Sequence, residues 1–353
     1  MILPGRQEWE MKFDFCIGNP PYQEEQEGKN DTYAPPVYNK FLDAAYEVAD
    51  KVEMIHPARF LFNAGSTPKE WNQKMLGDEY LKVMFYEQES SKIFRNTDIK
   101  GGICVTYRNK NKKGEAIQIF TTFEELNSTM KKVNTKEENS FSQIISGRTI
   151  YHFHPILHKD HPEVAEKMSA GHENDIMSNA FDKLEEIFTE DKPDDGAEYV
   201  QMFGLYKKKR AYRWVKRAYI DGPGSFLKWK VFVPEANGSG AIGEVLSTPL
   251  IGAPLIGATD TFLSIGSFET KFEAEACLKY VKSKFVRVLL GILKVTQHNP
   301  APKWKYVPLQ DFTPNSDIDW SKSVSEIDQQ LYKKYGLSQE EIDFIESHVK
   351  EMA

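Results

Sequence analysis

The ten residues Phe13-Asp14-Phe15-Cys16-Ile17-Gly18-Asn19-Pro20-Pro21-Tyr22 decide how this chain is read. The run FDFCIG has the length and apolar content of a short buried strand that ends in a turn. Two adjacent prolines follow it. Proline has no backbone N–H to give to a sheet ladder, so the strand must stop at Asn19. A residue that precedes proline is held extended. The loop is therefore stiff, and it presents Asn19 and Tyr22 at the carboxyl end of the strand, the edge where open α/β sheets bind ligands.

The loop's groups suit the exocyclic amino group of adenine, which has two N–H donors. The Asn19 side-chain carbonyl can accept one and the Pro20 backbone carbonyl the other, with Pro21 stiffening the turn. Two acceptors localise the nitrogen lone pair so that it can attack a methyl carbon. Tyr22 offers a flat face on which a flipped-out base can stack, worth roughly 1–3 kcal/mol. A Pro-rich turn whose Asn caps local backbone is the bland alternative. The four-residue string after an apolar strand is rare enough to favour the functional reading, with Asn19, Pro20, Pro21 and Tyr22 as the catalytic set.

Outward from this loop, residues 1–130 alternate strand and helix signals. PVYNKFLDAAYEVADK carries apolar residues at helical spacing, VEMIHPARFLF reads as a strand running into a Pro-broken loop, and TPKEWNQKMLGD as a helix with a Thr cap that ends at Gly77. LKVMFYE and GGICVTYRN are further strands, and the alternation argues for a parallel α/β sheet. Residues 110–140 are polar and Lys-rich and read as a linker or a mobile loop. From 141 to 312 short apolar runs are broken by Gly and Pro, with one strong helix at EAEACLKYVKSKFVRVLLGIL. Residues 313–353 read as two helices parted by Gly336-Leu337-Ser338, with Ser338 and Glu341 placed for a capping box.

IGNPPY resembles the catalytic motif of the amino-methyltransferases that modify adenine N6. HPARFLFNAG and NTDIKGGICVTYRN are similar to later catalytic-domain segments of that family. KVFVPEANGSGAIGEVLSTPLIGAPLIG, LLGILKVTQHN, WKYVPLQDF and the tail resemble the target-recognition region and C-terminus of type II restriction-modification methylases. The resemblance implies a partial Rossmann-like methyltransferase sheet in 1–130, an α+β target-recognition domain in 141–312 and a helical tail in 313–353. It implies S-adenosylmethionine as cofactor, double-stranded DNA as partner and a cytoplasmic setting. The family's Gly-rich cofactor strand lies upstream of the Asn-Pro-Pro-Tyr strand, and only 12 residues precede Phe13 here. The expectation is that the cofactor half comes from elsewhere, such as a partner chain, and that the strand has an unpaired hydrophobic edge. A partner endonuclease is also compatible. The alternative is a catalytically silent DNA-binding specificity module.

Charge distribution supports the DNA reading more than net charge, which is −7 over 353 residues. Residues 173–198 hold ten carboxylates against two lysines. Residues 207–230 hold nine bases (Lys207, Lys208, Lys209, Arg210, Arg213, Lys216, Arg217, Lys228, Lys230) against Asp221 alone, interleaved with aromatics. These bases are candidate phosphate contacts; a strand pair with a basic solvated face is the alternative. Asn237-Gly238-Ser239-Gly240 reads either as a backbone cradle for phosphate or as a plain hairpin turn. Thr296, Gln297, His298 and Asn299 read either as a cluster that reaches base edges or as a helix cap.

His152, His154, His158 and His161 match no familiar ligand spacing, so no metal site is expected. Cys16, Cys104 and Cys277 sit within apolar runs and read as buried thiols. No run of 18 apolar residues is present, and 40% hydrophobic with 27% charged residues is the balance of a globular chain.

Overall fold

A computed structural model describes residues 13–24, 34–63, 66–95, 97, 99, 101–238, 241–294 and 297–352. The chain divides into two compact units, residues 1–127 and 128–353.

In the first unit, strand β1 (Phe13–Gly18) leads through the Asn-Pro-Pro-Tyr loop to helix α1 (Tyr38–Val48) and strand β2 (Ala49–Pro57). Helix α2 (Lys69–Leu76), strand β3 (Leu81–Glu87) and strand β4 (Ile103–Asn109) follow. The sheet order is β1-β2-β4-β3. Strands β1 and β2 are parallel, whereas β4 is antiparallel to both β2 and β3. The expectation of an all-parallel sheet is thereby corrected. A parallel return needs a long crossover, which α1 supplies between β1 and β2. Between β3 and β4 the described residues hold only a short 3-10 turn at Ser90–Lys92, and the chain comes back antiparallel. Gly102 makes that return possible. Its φ is +78°, and a Cβ there would meet the Glu87 carbonyl oxygen at 2.4 Å.

One face of this sheet is covered. Helix α1 turns Tyr38, Leu42 and Ala45 inward, at the spacing of one helix stripe. They meet Val52, Met54, Leu81 and Cys104 of the sheet and Trp71 and Met75 of α2 in one apolar cluster. Thr67 does not cap α2: Pro68 occupies the cap position, and the Thr67 hydroxyl donates to Asn72 Oδ1 at 2.7 Å. β1 differs from its reading as a buried strand. Among the described residues it pairs with β2 alone, so it is an edge. Phe13, Phe15 and Ile17 lie on its other face and are 50%, 59% and 77% exposed.

Helix α3 (Glu124–Val133) runs across the boundary between the units. The second unit continues with strand β5 (His152–Phe153) and helices α4 (Pro155–Asp160), α5 (Glu163–Lys167) and α6 (Ala180–Lys183). Strands β6 (Tyr199–Tyr206), β7 (Lys209–Lys216), β8 (Ile220–Asp221), β9 (Trp229–Pro234), β10 (Leu250–Gly252), β11 (Ile256–Ala258) and β12 (Phe262–Phe268) come next. They form small sheets, β11-β6-β7, β10-β9-β12 and β5-β8, around a core that includes Phe153, Phe181, Phe188, Met202, Phe203, Phe226 and Phe232. The single long helix expected over 273–293 is two, α7 (Lys271–Lys282) and α8 (Lys284–Leu293). Ser283 breaks it with ψ of 149° and caps α8 by accepting from the Val286 N–H. Helices α9 (Val324–Lys334) and α10 (Gln339–His348) pack against α7 and α8, within the second unit. The Ser338–Glu341 capping box forms as expected.

Candidate functional site

The Asn-Pro-Pro-Tyr loop leaves the carboxyl end of β1 with Pro20 buried and Asn19 and Pro21 exposed. Its far end is tied down. The Val37 N–H donates to the Tyr22 carbonyl at 3.1 Å, the Glu24 N–H to the Pro35 carbonyl at 3.0 Å, and Gln23 bridges Pro36. The loop is thus anchored by a strand before it and by the entry to α1 after it, which fixes where Asn19 projects.

Tyr22 is half-buried and packs against the unit's apolar cluster. Phe94 stands edge-on to its ring, with centroids 6.4 Å apart and planes at 62°. The Tyr22 hydroxyl is buried and has no hydrogen-bond partner. Burial, with a smaller contribution from Cys104, pushes its pKa up to about 12. In the same unit His56, on β2, is fully buried beside β4. Its Nδ1 donates to the Pro57 carbonyl at 3.1 Å, so Nε2 accepts from the Thr106 hydroxyl at 2.8 Å. Tyr38 stacks on the ring at 5.5 Å, and burial pulls the imidazole down to about 4. Neither Phe94 nor the His56–Thr106 pair was singled out in the sequence. The signal for Phe94 was one aromatic in the polar run SSKIFRN, which by itself is weak.

The candidate phosphate contacts fall into distinct places. Lys207, Lys208, Lys209 and Arg210 are exposed at and beside the β6–β7 turn. The Arg210 guanidinium donates to the carbonyls of Thr248 and Ser247 at 2.7 and 3.0 Å. Further from the turn, the acidic stretch answers the bases. Arg213 lies over the Tyr206 ring and 3.9 Å from Glu190, and Lys216 is 3.2 Å from Asp195. Arg217 donates to the Ile220 carbonyl at 2.6 Å and covers Phe226, while Lys228 pairs with Glu269.

Lys230 is a correction. It is fully buried, and its ammonium donates to the carbonyls of Ser225, Phe226, Lys228 and Ala253 at 2.8–3.2 Å. Burial pulls its pKa down to about 8. A buried ammonium surrounded by carbonyls holds backbone together and cannot reach a phosphate.

Asn237 is a second correction. Its amide is buried, donates to the Val245 carbonyl at 2.9 Å and accepts from the Ser247 N–H at 2.5 Å. Gly238, at φ +62°, lies against the Glu244 carboxylate, a poor host for an anion. Ser239, Gly240 and Thr296 lie outside the described residues, as do residues 1–12. Gln297 is exposed and its carbonyl accepts from the Asn237 N–H at 2.6 Å. His298 donates through Nδ1 to the Glu235 carboxylate, and Asn299 is buried.

Residues 3–94, which contain the loop, match the Eco57I restriction-modification methylase family. The chain is also similar to an uncharacterized adenine-specific methylase of Mycoplasma pneumoniae (strain ATCC 29342 / M129 / Subtype 1). The two are 29% identical over 149 residues, 40% of this chain and 35% of the relative. The resemblance to the restriction-modification adenine methylases is borne out. Two solved structures are loosely similar. One is the type IIG restriction endonuclease BpuSI, at TM-score 0.32 and 9% identity over 91% of this chain and 50% of that one. The other is the Type IIL restriction-modification enzyme MmeI in complex with DNA, at TM-score 0.32 and 10% identity over 95% and 56%. The chain spans about a third of the curated relative and about half of those two structures.

The remaining candidates have local roles. His152 and His172 both donate to Asp175, His158 donates to Asn174, His161 donates to Glu163, and His154 caps α4. Among the described residues no group of three or more His, Cys, Asp or Glu side chains could hold a metal ion. Cys104 and Cys277 are buried, and burial pushes both thiols up. Among the described residues no helix is long and apolar enough to cross a membrane.

Proposed function

We propose that the chain is a site-specific DNA adenine-N6 methyltransferase component of a restriction-modification system. Its first unit supplies the base-binding loop and its second unit sits on duplex DNA. The observation that carries the reading is the exposed Asn19 on a loop anchored at both ends, with the half-buried Tyr22 ring beside it, inside the region that matches the methylase family. A flipped-out adenine would give its two amino hydrogens to Asn19 Oδ1 and to the Pro20 carbonyl. That pair of acceptors draws the nitrogen toward a tetrahedral shape and raises its nucleophilicity. Tyr22 would support the base by stacking. DNA binding would fall to the second unit, with the exposed bases at the β6–β7 turn on phosphates and Gln297 toward base edges.

S-adenosylmethionine is the methyl donor this reading requires. The described residues do not fit it. Such a cofactor needs a glycine turn at the mouth of a strand and helix, and an acidic residue on the next strand. In the first unit the positive-φ glycines among the described residues are Gly101 and Gly102, both spent on the β3–β4 return. We therefore place the cofactor half outside the described residues, on a partner chain or on a further segment alongside the edge of β1. That edge and its exposed Phe13, Phe15 and Ile17 suit such a neighbour. The same observation favours a second reading, a DNA-binding specificity module without methylation of its own.

The test is transfer of a tritiated methyl group from S-adenosylmethionine to duplex DNA free of methyladenine, with the cofactor half co-expressed. Label in N6-methyladenine that is lost in Asn19→Ala is expected. Label on cytosine, or undiminished label in Asn19→Ala, overturns the assignment. DNA binding with no label under any condition selects the second reading.

A further inference from the structure

Strands β6 and β7 are joined by only two residues, Lys207 and Lys208, because Tyr206 already pairs with Lys209. Both turn residues have left-handed backbone, with φ of 48° and 63°. A two-residue hairpin turn of this kind strongly prefers Asn-Gly. In a residue such as lysine, Cβ crowds the following carbonyl oxygen there. The hairpin around the turn is regular, with eight paired positions, and the Lys207 N–H donates to the Asp182 carboxylate at 2.9 Å. The surroundings thus hold the turn in a conformation its own residues disfavour. Such positions persist when neighbouring structure over-determines them, and they cluster at functional sites.

Charge points to the same place. Along the rest of the basic stretch the cations are answered by carboxylates or carbonyls within the unit. Among the described residues no ion pair within 4.0 Å involves Lys207, Lys208 or Lys209. Lys207 is the more encumbered, since its ammonium lies 4.7 Å over the Tyr206 ring and feels Glu185 and Asp182. Among the described residues, the exposed ammonium groups of the stretch that lack a carboxylate within 4.0 Å are therefore gathered at the strained turn and the residue after it. Resting on the reading that the second unit binds DNA, we propose that the Lys207–Lys208 turn meets the phosphate backbone of duplex DNA, and that an unfavourable turn is kept because two lysines are needed there.

Two variants of the full chain separate the parts of this inference. K207N/K208G removes both charges and gives the turn its preferred residues. Its melting temperature should rise by about 2–6 °C, while the slope of log affinity against log salt for duplex DNA falls by about 1.8. K207Q/K208Q removes the charges and keeps the strained backbone. It should lose the same salt slope with no rise in melting temperature. If the wild-type chain binds DNA and both variants bind with its affinity and slope, the turn does not touch phosphate and the proposal fails. A K207N/K208G chain no more stable than K207Q/K208Q removes the argument from strain. A wild-type chain with no salt-dependent affinity for DNA overturns the parent reading instead.

Discussion

Replacing Tyr22 with phenylalanine separates what its ring does from what its hydroxyl does. The hydroxyl is buried without a hydrogen-bond partner, and such a group costs about 1–3 kcal/mol of desolvation. Phenylalanine removes that cost and keeps the ring's packing and its edge-on contact with Phe94 at 6.4 Å. We expect Tyr22→Phe to stabilise the first unit by about 1 kcal/mol in urea titration, taking the low end because the ring is only half-buried. Methyl transfer should survive, because either ring gives a base the same face to stack on. Tyr22→Ala is the contrast. It should lose about 2 kcal/mol of stability, and transfer should fall by roughly 5- to 150-fold, the equivalent of a stacking energy of about 1–3 kcal/mol. The assays are equilibrium unfolding and labelled-methyl transfer on the same preparations. A destabilised Tyr22→Phe would mean that the hydroxyl has a partner after all. A Tyr22→Phe as inactive as Tyr22→Ala would mean that the hydroxyl, and not the stacking face, serves the base.

The buried His56 makes the first unit sensitive to acid. Its folded-state pKa of about 4 lies below the ordinary 6.5, so its contribution is fully present above pH 6.5 and is lost as pH falls toward 4. The loss should reach roughly 2–3 kcal/mol at pH 4.5. His56→Gln should lose that part of the pH dependence when unfolding is compared at pH 7.5 and 4.5, and parallel pH profiles would refute the assignment. Lys230→Ala strips the donor from four backbone carbonyls and should cost about 2–4 kcal/mol of stability. The salt slope of DNA binding should stay as in wild type in the folded fraction, and a lower slope would return Lys230 to the DNA surface. Asn19→Ala should leave the unfolding midpoint unchanged, since the side chain is exposed, while methyl transfer falls at least about 100-fold.

Sequence alone was enough wherever neighbours along the chain set the outcome. Two consecutive prolines end β1 whatever surrounds it, because neither can donate to a ladder. Ser338 and Glu341 cap α10 because three residues of helix bring their side chains to each other's backbone. The apolar spacing of Val37, Phe41, Ala44, Ala45 and Val48 announces helix α1, but of that stripe only Ala45 is buried, and the face that packs is Tyr38, Leu42 and Ala45. The tertiary structure decided what depends on partners far away in sequence. That β4 inserts antiparallel between β2 and β3 follows from a pairing across the β3–β4 return, and period-two alternation reads the same in either direction. The bases of 207–230 look alike in a list of charges. Folding buries Lys230 among carbonyls, sets Arg213 and Lys216 against the acidic stretch and leaves Lys208 and Lys209 exposed at a hairpin end. A charge reports that a side chain needs an acceptor or water. Which of the two it finds depends on the three-dimensional packing around it.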